Sequence, residues 1–357
     1  MTIGQLMDSM QLVERVDKYF PGPKSNRGFS PLVYIQTLVL MQHQGYFHLD
    51  EVRHLSEDTA LTDVLGLTTI PNASTFGAWL RKTGNSHEPP LAWEAVNKAM
   101  LQAALHRRKK VTLDIDATEI VANKADSHWT YNNNKGYMPM VGHIAETGQI
   151  VSCDFRQGNA AQAKENFEFI QQCQRALPNG CTVGALRIDA AGYQARIIQY
   201  CDEQQIDYAI RAKMSSSIRQ HLSQLSEADW QPLIKRDGEP SSYYSTHRMP
   251  HCIGDYERAF DLVIQRHPIR QSVLDLDEDT DSQAIVQKDL YTAQLPPTAA
   301  HCAIERSSIG TTSGLKIVKT ALRNLNWILV ATPCPVLILT PTPGTFTLMH
   351  CLTIYSP

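Results

Sequence analysis

Apolar residues recur at helical spacing through the first hundred residues of the chain. In the clearest segment, four of them share one helical face: Leu32, Ile35, Leu38 and Val39. Ser30 and Pro31 precede this face, and serine is a favoured N-cap while proline is a favoured first helical residue. Gly45 follows it and is typical of a helix end. The pattern predicts a helix over residues 31–44, inside a helical region that we place at residues 1–108.

Four further helices are predicted in this region, at residues 49–55, 59–65, 75–82 and 91–106. Either Asn72 or Ser74 can cap the third of them. Its last turn carries Arg81 and Lys82, which we expect to be exposed. A succession of short helices is typical of a helix-turn-helix DNA reader and equally of an ordinary helical bundle. The pattern leaves both interpretations open.

The pattern changes from helical to strand-like at Val111. Strands are predicted at residues 111–115, 138–144, 149–155, 184–188 and 207–212, and helices at 161–177 and 194–204. Strands that alternate with helices are typical of an α/β layer fold. We therefore assign an α/β core to residues 109–213.

The last third of the chain has a different texture. Residues 214–291 are polar, with strands predicted at 241–248, 259–265 and 271–275, which indicates a β-rich insertion. Residues 292–357 hold 7 of the 19 prolines, no aspartate and one glutamate, Glu305. Their apolar stretch at 327–339 is broken by two prolines and is too short for a membrane-spanning helix, the rival interpretation. We expect an aberrant, poorly packed tail.

Composition excludes two broad classes of protein. Of the 357 residues, 43% are hydrophobic, which supplies a core and excludes global disorder. The 33 Lys and Arg residues against 36 Asp and Glu give a net charge of −3, which excludes a histone-like basic protein. A local basic face is still compatible with this balance, so nucleic-acid binding stays open.

The eight cysteines indicate a reducing compartment. None of them forms a CxxC pair, and no secretory signal opens the sequence, so we expect a cytoplasmic location. Three His-Cys dipeptides, at residues 251, 301 and 350, raise a metal hypothesis. Their wide spacing fits no zinc module.

Two aspartates directly follow apolar strands: Asp116 in VTLDIDATEI and Asp189 in GALRIDAAGY. Ligands gather at the carboxyl ends of strands in open α/β sheets, where a carboxylate needs a compensating cation. Two converging carboxylates suit Mg²⁺, and a pair of metals about 4 Å apart can activate a nucleophile for phosphoryl transfer. The alternative is that each aspartate caps a turn at its strand end.

Asp114 lies two residues before Asp116, on the same face of the predicted strand. Their Cα atoms are expected to lie roughly 6–7 Å apart, because each residue of a strand advances about 3.3 Å. At this separation the two carboxylates are not expected to be equivalent ligands of one metal. We favour Asp116, which is nearer the strand end, and the role of Asp114 stays open.

An ordered series of motifs between residues 30 and 291 resembles bacterial insertion-sequence transposases of the DDE type. In chain order the motifs are IPNASTFGAWLRK, LDIDATE, YNNNKGYMPM, GNAAQAKENFEFIQ, RIDAAGY, DYAIRAK and AFDLVIQRHPI. One short motif would be a weak signal, but the ordered series is specific. The resemblance implies an α/β ribonuclease H-like core with a helical N-terminal domain and a β-rich insertion.

The resemblance also implies an activity, which is Mg²⁺-dependent cleavage and strand transfer at the ends of a mobile element, with Mn²⁺ able to substitute. In the family, the Asp of a DxT element and the Asp after the fourth core strand bind metal, and Asp116 and Asp189 match these positions. The expected partner is double-stranded DNA carrying the terminal inverted repeats. A homodimer stays open, and no membrane is expected.

Eight basic residues are candidates for contact with the DNA phosphates: Arg81, Lys82, Arg107, Lys110, Lys135, Arg187, Arg211 and Lys213. The plain alternative for each is a solvated surface charge.

The family's catalytic Glu, on a late helix in a Tyr-x-x-Arg…Glu…Lys pattern, has no counterpart in this chain. When the codons of residues 318–324 are read in a frame shifted by one base, they can encode ENRIKE. The same shifted frame, continued upstream, can encode NWYNQRAEDSENRIKELK. Because so long a run is hard to obtain by chance, we infer a frameshift near Tyr291, with the hidden Glu codon spanning Val318 and Lys319.

Loss of this Glu predicts a crippled enzyme. The alternatives are a non-catalytic DNA-binding product of the same element and a general ribonuclease H-like nuclease.

Overall fold

A computed structural model gives the fold. It describes residues 3–9, 11–20, 22–23, 28–46, 48–64, 66–84, 88–105, 107–161, 163, 165–234, 238–254, 256–273, 284–295, 339–342 and 345–348. The chain forms two compact units. Unit 1 contains the described residues up to Val183 and those from 339 to 348, and unit 2 contains the described residues from Gly184 to 295.

Unit 1 opens with a run of α-helices. They are α1 (Ile3–Ser9), α2 (Leu12–Tyr19), α3 (Pro31–Gln44), α4 (Val52–Glu57), α5 (Thr59–Val64), α6 (Ala73–Gly84) and α7 (Glu88–Ala104). A short 3₁₀ turn, Leu49–Glu51, leads into α4. The helical segments predicted for this region are therefore present. Whether any of these helices reads DNA stays a prediction.

The ends of α3 are those that the sequence predicts. Ser30 is extended at the N-cap position, Pro31 is the first helical residue, and Gly45 takes the left-handed conformation at the C-cap with φ 76°. The Ser30 side chain makes no capping hydrogen bond. All residues from 34 to 41 are buried, because α3 runs through the middle of a core that also receives α2, α6 and α7.

Helix α6 is fixed at its start by Asn72, one of the two predicted caps. The Asn72 Oδ1 accepts a hydrogen bond from the Thr75 backbone N–H at 2.9 Å. Trp79 stacks on Tyr34 of α3 with ring centroids 4.3 Å apart. This packing directs the apolar face of α6 into the helical core.

Between residues 110 and 176, unit 1 contains six strands and one helix. The strands are β1 (Lys110–Ala117), β2 (Ile120–Val121), β3 (His128–Trp129), β4 (Lys135–Tyr137), β5 (Met140–Ile144) and β6 (Ile150–Asp154), and the helix is α8 (Asn166–Ala176). Strands β1, β5 and β6 pair antiparallel in the order β6-β5-β1. Strands β2, β3 and β4 form a separate small sheet in the order β2-β4-β3.

Helix α8 begins five residues later than the predicted start at residue 161. Glu165 takes a left-handed conformation with φ 59°, which breaks the helical path. The buried Asn166 then accepts a hydrogen bond from Arg156 at 2.8 Å. Helix α8 packs closely on β5, where a side chain at Gly142 would press on the sulfur of Cys173.

Helix α7 is tied to the edge of the unit 1 sheet by one buried side chain. The amide of Asn97 donates hydrogen bonds to the backbone oxygens of Ile150 and Val151, at 3.2 and 3.0 Å. Asn97 is 4% exposed. Its amide links the helical core to β6, a link that helical periodicity does not predict.

Unit 2 begins within β7 (Thr182–Ile188), which is followed by α9 (Ala195–Glu203) and the parallel strand β8 (Asp207–Arg211). Next come α10 (Ser216–Leu222), β9 (Gln231–Ile234), β10 (Pro240–Ile253), β11 (Tyr256–Val273) and β12 (Ala284–Leu295). The sheet order is β7-β8-β12-β11-β10-β9. With the antiparallel strands of unit 1, this parallel pair gives the mixed α/β fold that the sequence predicts.

The strand-rich region differs from its prediction in three ways. Helix α10 and the strands β9 and β12 are additional elements. The strands predicted at 259–265 and 271–275 form one continuous strand, β11, since its pairing with β12 runs unbroken through Pro268 to Val273. Strand β12 continues past Tyr291, and its last residues, Gln294 and Leu295, pair with β8.

The described part of the tail is an antiparallel hairpin of β13 (Leu339–Thr342) and β14 (Thr345–Leu348). The predicted apolar stretch lies outside the described residues except for Leu339, and so do Glu305 and the proposed Glu codon position. Within the described ranges, none of the helices combines the length and apolar character that crossing a membrane requires.

Candidate active site

Asp116 lies one residue before the end of β1 and is 8% exposed. Its strand neighbours Leu113 and Ile115 are fully buried, which fixes the strand against the core. Asp116 pairs with Val141 of β5, and the chain leaves the sheet where the Thr118 backbone N–H donates to Pro139 at 3.0 Å. The carboxylate is therefore held on a rigid strand at the point where the strand ends.

Asp114 has different surroundings from Asp116. It is 1% exposed and lies directly across from His143, itself 2% exposed. The His143 Nε2 lies 3.4 Å from the Asp114 Oδ2. A buried carboxylate requires a partner to offset the loss of water, and the imidazole provides one. Asp114 is thus a cross-strand partner of His143.

Asp189 follows β7 and is exposed. It caps a 3₁₀ turn, Ala190–Gly192, by accepting a hydrogen bond from the Ala191 backbone N–H at 2.9 Å. Gly192 is required here, because a side chain at this position would collide with Ile188. The capping role left open by the sequence is present. A carboxylate can accept several hydrogen bonds or bind a cation as well, so the cap is compatible with a ligand role.

The two aspartates belong to different units, Asp116 to unit 1 and Asp189 to unit 2. Both offer carboxylate oxygens at strand ends, the donor chemistry that suits a hard divalent cation. In the part of the chain that the structure describes, no three His, Cys, Asp or Glu side chains are grouped in a way that could hold a metal ion.

The basic candidates are distributed over both units. Seven of them are exposed and one, Arg187, is half-buried: Arg81, Lys82, Arg107, Lys110 and Lys135 lie in unit 1, and Arg187, Arg211 and Lys213 in unit 2. Lys110 is the first residue of β1, roughly 20 Å from Asp116 at the rise of about 3.3 Å per residue, and Arg107 precedes the strand. Their DNA contacts stay predictions.

A small sheet protrudes from the end of β1 that carries Asp116. Residues 118–139 leave the main sheet between Ala117 and Met140, which pair with each other. Within this excursion, a side chain at Gly136 would collide with the backbone oxygen of Ile120. A side chain at Gly158 would collide with the backbone oxygens of His128 and Gly136. The KGY and QGN motifs therefore supply the glycines that allow this small sheet to pack.

The carboxylate of Glu119 organises the turn between β3 and β4. It accepts hydrogen bonds from the Thr130 hydroxyl, the Asn132 amide at 3.0 Å and the Asn134 amide at 3.2 Å. Asn133 takes a left-handed conformation with φ 61°, which asparagine tolerates better than most residues. Glu119 lies three residues beyond Asp116, so the turn is attached to the strand end that carries the candidate ligand.

Two exposed aromatic residues on this hairpin were not among the predicted site residues. Trp129 is 63% and Tyr131 is 61% exposed. By contrast, Tyr137 is buried and donates to Asp126 at 2.8 Å, and burial and this carboxylate both raise the pKa of Tyr137. The sequence signal was available, since WTYNNNK places aromatic residues beside an asparagine-rich turn instead of on an apolar face.

Comparison with known proteins identifies the family. A family model described as transposase DDE domain group 1 matches residues 1–249, which include Asp116 and Asp189. No curated protein matches the chain.

A solved cryo-EM structure of a piggyBac transposase synaptic complex with hairpin DNA matches with a TM-score of 0.41 and 10% identity. The match covers 91% of this chain and 65% of the other, so this chain spans less than two thirds of that neighbour's length. A likeness this remote carries no argument. The family model alone covers well over half of the sequence, and the chain belongs to the DDE transposases of group 1.

Proposed function

We propose that this chain is the product of an insertion sequence whose transposase cleaves the element ends and transfers their strands with Mg²⁺, on a ribonuclease H-like core. The proposal depends on one observation: this chain belongs to the DDE transposases, and Asp116 lies at the end of strand β1. This carboxylate is held at the end of a buried strand, next to the residues where the chain leaves the sheet.

The local setting of each aspartate supports a ligand role. Asp116 lies at the end of the buried strand β1, and Asp189 directly follows β7. Ligands gather at the carboxyl ends of strands in open α/β sheets.

In the proposed mechanism, Asp116 and Asp189 would hold a divalent metal, with the family's Glu as a third carboxylate. A metal held there would supply activation of a water or 3′-hydroxyl nucleophile and stabilisation of the leaving oxygen. Asp116 is kept in place by the strand pairing of β1, and Asp189 by its bond to Ala191. Lys135 and the other basic candidates neutralise the DNA phosphates.

A second candidate function is favoured by the residues after Tyr291. They contain no Tyr-x-x-Arg…Glu…Lys pattern, from which we infer that the family's third carboxylate is missing. We propose that the 357-residue form binds the inverted repeats of its element without cleaving them. On this proposal the family activity is lost while the DNA-binding elements are retained.

The test compares the 357-residue chain with a chain in which the reading frame is restored after Tyr291. Both are assayed for binding and for cleavage of an inverted-repeat duplex in Mg²⁺ and in Mn²⁺. We expect both to bind, with an affinity that falls as salt rises, and only the restored chain to cleave. Robust cleavage by the 357-residue chain overturns its proposed inactivity, and absence of binding by both overturns the DNA function.

Two matched substitutions in the restored chain separate the two aspartates of β1. Asp116→Asn is expected to reduce cleavage to background, because an amide is a poor ligand for Mg²⁺. Asp114→Asn is expected to keep measurable cleavage while lowering stability, because Asp114 is paired with His143. Equal cleavage by the Asp116→Asn and unsubstituted chains contradicts the assignment of Asp116.

A further inference from the structure

The hairpin of β3 and β4 presents aromatic side chains to solvent in a way that packing does not explain. Among the exposed large apolar side chains of the described residues, Trp129 and Tyr131 have the highest exposed fractions. Large aromatic residues normally stabilise a fold by burial, and here most of this contribution is absent. Exposed apolar patches rimmed by polar residues mark interaction sites, and two exposed aromatic residues on one hairpin supply the apolar part of such a site.

The hairpin is held rigidly. The Thr130 backbone N–H donates to the Asn134 oxygen at 2.8 Å, and Asn133 donates to the Thr130 oxygen at 3.1 Å, so the turn has its own backbone bonds. The three side-chain bonds to Glu119 add to them. Trp129 and Tyr131 flank Thr130 and are positioned before any ligand arrives, which lowers the entropy lost on binding.

A cation lies beside the indole. Trp129 and Lys135 pair across β3 and β4, and residues that pair directly across an antiparallel ladder project to the same face. The segment's own acidic groups are engaged inside it, Glu119 by the turn and Asp126 by Tyr137. The exposed face therefore combines an aromatic ring with a positive charge. Proteins that bind single-stranded nucleic acid use this combination: the bases stack on the aromatic rings, and the phosphates contact the cations.

This surface starts where β1 ends. Residues 118–139 begin directly after Ala117. Trp129 and Lys135 therefore belong to the segment that follows the Asp116 end of β1. An unpaired nucleotide at a DNA end bound for reaction at Asp116 would need a support that is indifferent to sequence. Stacking on an aromatic ring provides it, because every base has a π-face.

We infer that Trp129 and Lys135, with Tyr131 beside them, form a stacking platform for an unpaired nucleotide at the DNA end. The inference rests on the proposed function, since it requires that DNA reaches the Asp116 end of β1. The indole of Trp129 stacks on the base, and the ammonium of Lys135 contacts the adjacent phosphate. Contacts with the duplex phosphates set the overall affinity for DNA, and the platform adds a preference for ends that carry unpaired nucleotides.

The experiment uses the full 357-residue chain and two probes, a blunt duplex and the same duplex with a short single-stranded overhang that carries 2-aminopurine. We expect tighter binding of the overhang probe and a change of 2-aminopurine fluorescence on binding. Trp129→Ala is expected to weaken overhang binding on the order of tenfold, to leave blunt-duplex binding unchanged, and to abolish the fluorescence change. Trp129→Phe should restore most of the preference.

One further variant serves as a control, and another tests the second member of the platform. Val121→Ala removes an exposed apolar side chain, 45% exposed, from a neighbouring strand of the same small sheet, and is expected to change the binding of neither probe. Lys135→Gln is expected to weaken binding of the overhang probe more than that of the blunt duplex, and to lower the salt dependence of overhang binding by about one phosphate contact. Thermal unfolding of each variant checks that the fold is intact.

The outcomes distinguish the inference from the function beneath it. Binding of both probes with no selective effect of Trp129→Ala overturns the platform and leaves the proposed DNA function standing. An equal loss on both probes also overturns it, because the indole then contacts the duplex. If the unsubstituted chain binds neither probe, the DNA function and the platform both fail.

Discussion

At the scale of single residues, Asp114 and Asp116 show how identical side chains on one strand face acquire different roles. Asp114 faces the imidazole of His143, and Asp116 lies at the strand end beside the departing chain. The sequence predicts the position of Asp116, because an apolar run followed by a small residue and a threonine is a local signal. It cannot predict the partner of Asp114, because His143 reaches it only through the cross-strand register.

The burial of Cys201 predicts that the free energy of unfolding depends on pH. Cys201 is fully buried in α9, and this burial, with a smaller contribution from Asp202, raises its pKa from 9.0 to about 12. Between these values the unfolded chain has lost the thiol proton and the folded chain has kept it. The unfolded state therefore binds fewer protons, and the free energy of unfolding falls as pH rises, by up to about 1.4 kcal/mol per pH unit.

Denaturant unfolding between pH 9 and pH 12 tests this dependence. Cys201→Ala is expected to flatten the fall relative to the unsubstituted chain, while Cys252→Ala, an exposed cysteine, should leave it unchanged. Parallel pH curves for the Cys201→Ala and unsubstituted chains argue against the buried thiol as a source of the dependence.

At the scale of elements, prediction succeeds where the signal is local and fails where it is not. Helix α3 follows the prediction at both ends because Pro31 fixes the backbone of the first helical residue and Gly45 takes the left-handed conformation that ends the helix. The strands of the small sheet have two or three residues each, too few to show a period. They depend on close backbone approach at Gly136 and Gly158, which no pattern of apolar residues records.

Substitution of Gly136 tests this account of the small sheet. Gly136→Ala is expected to destabilise the region from Glu119 to Tyr137, because the added methyl group collides with the Ile120 backbone, which cannot move aside as a side chain can. Hydrogen exchange of these amides measures the effect locally.

Gly45→Ala is the matched control for Gly136→Ala. Gly45 has open space around it and only a left-handed backbone, so a cost of about 1–2 kcal/mol confined to the end of α3 is expected. Unchanged exchange across the small sheet in Gly136→Ala contradicts the proposed close approach.

At the scale of the whole molecule, the order of motifs predicts the family, and the family model confirms it over residues 1–249. The mixed α/β class follows from the alternation of strands and helices. The division into two units inside β7 could not be predicted, because it depends on how densely segments contact one another and not on any local sequence feature.

The proposed loss of cleavage with retained binding makes a prediction for mixtures of chains. Added to the frame-restored chain, the 357-residue chain is expected to inhibit cleavage of the element ends in proportion to its share of the mixture, since both compete for the same DNA. A 357-residue chain carrying Lys135→Gln should inhibit less at the same concentration. Undiminished cleavage in a large excess of the 357-residue chain contradicts retained end binding.

Strand β12 has a consequence for a gene that changes frame at Tyr291. Its final pairs, Gln294 with Arg211 and Leu295 with Ile210, use main-chain donors and acceptors that every residue except proline possesses. A change of reading frame replaces the side chains at these positions but keeps the backbone hydrogen bonds. This part of the β8 edge therefore stays paired and is not open to pairing with another chain. A frame change at this point can therefore alter the chemistry of the chain while keeping the backbone pairing of β12 with β8.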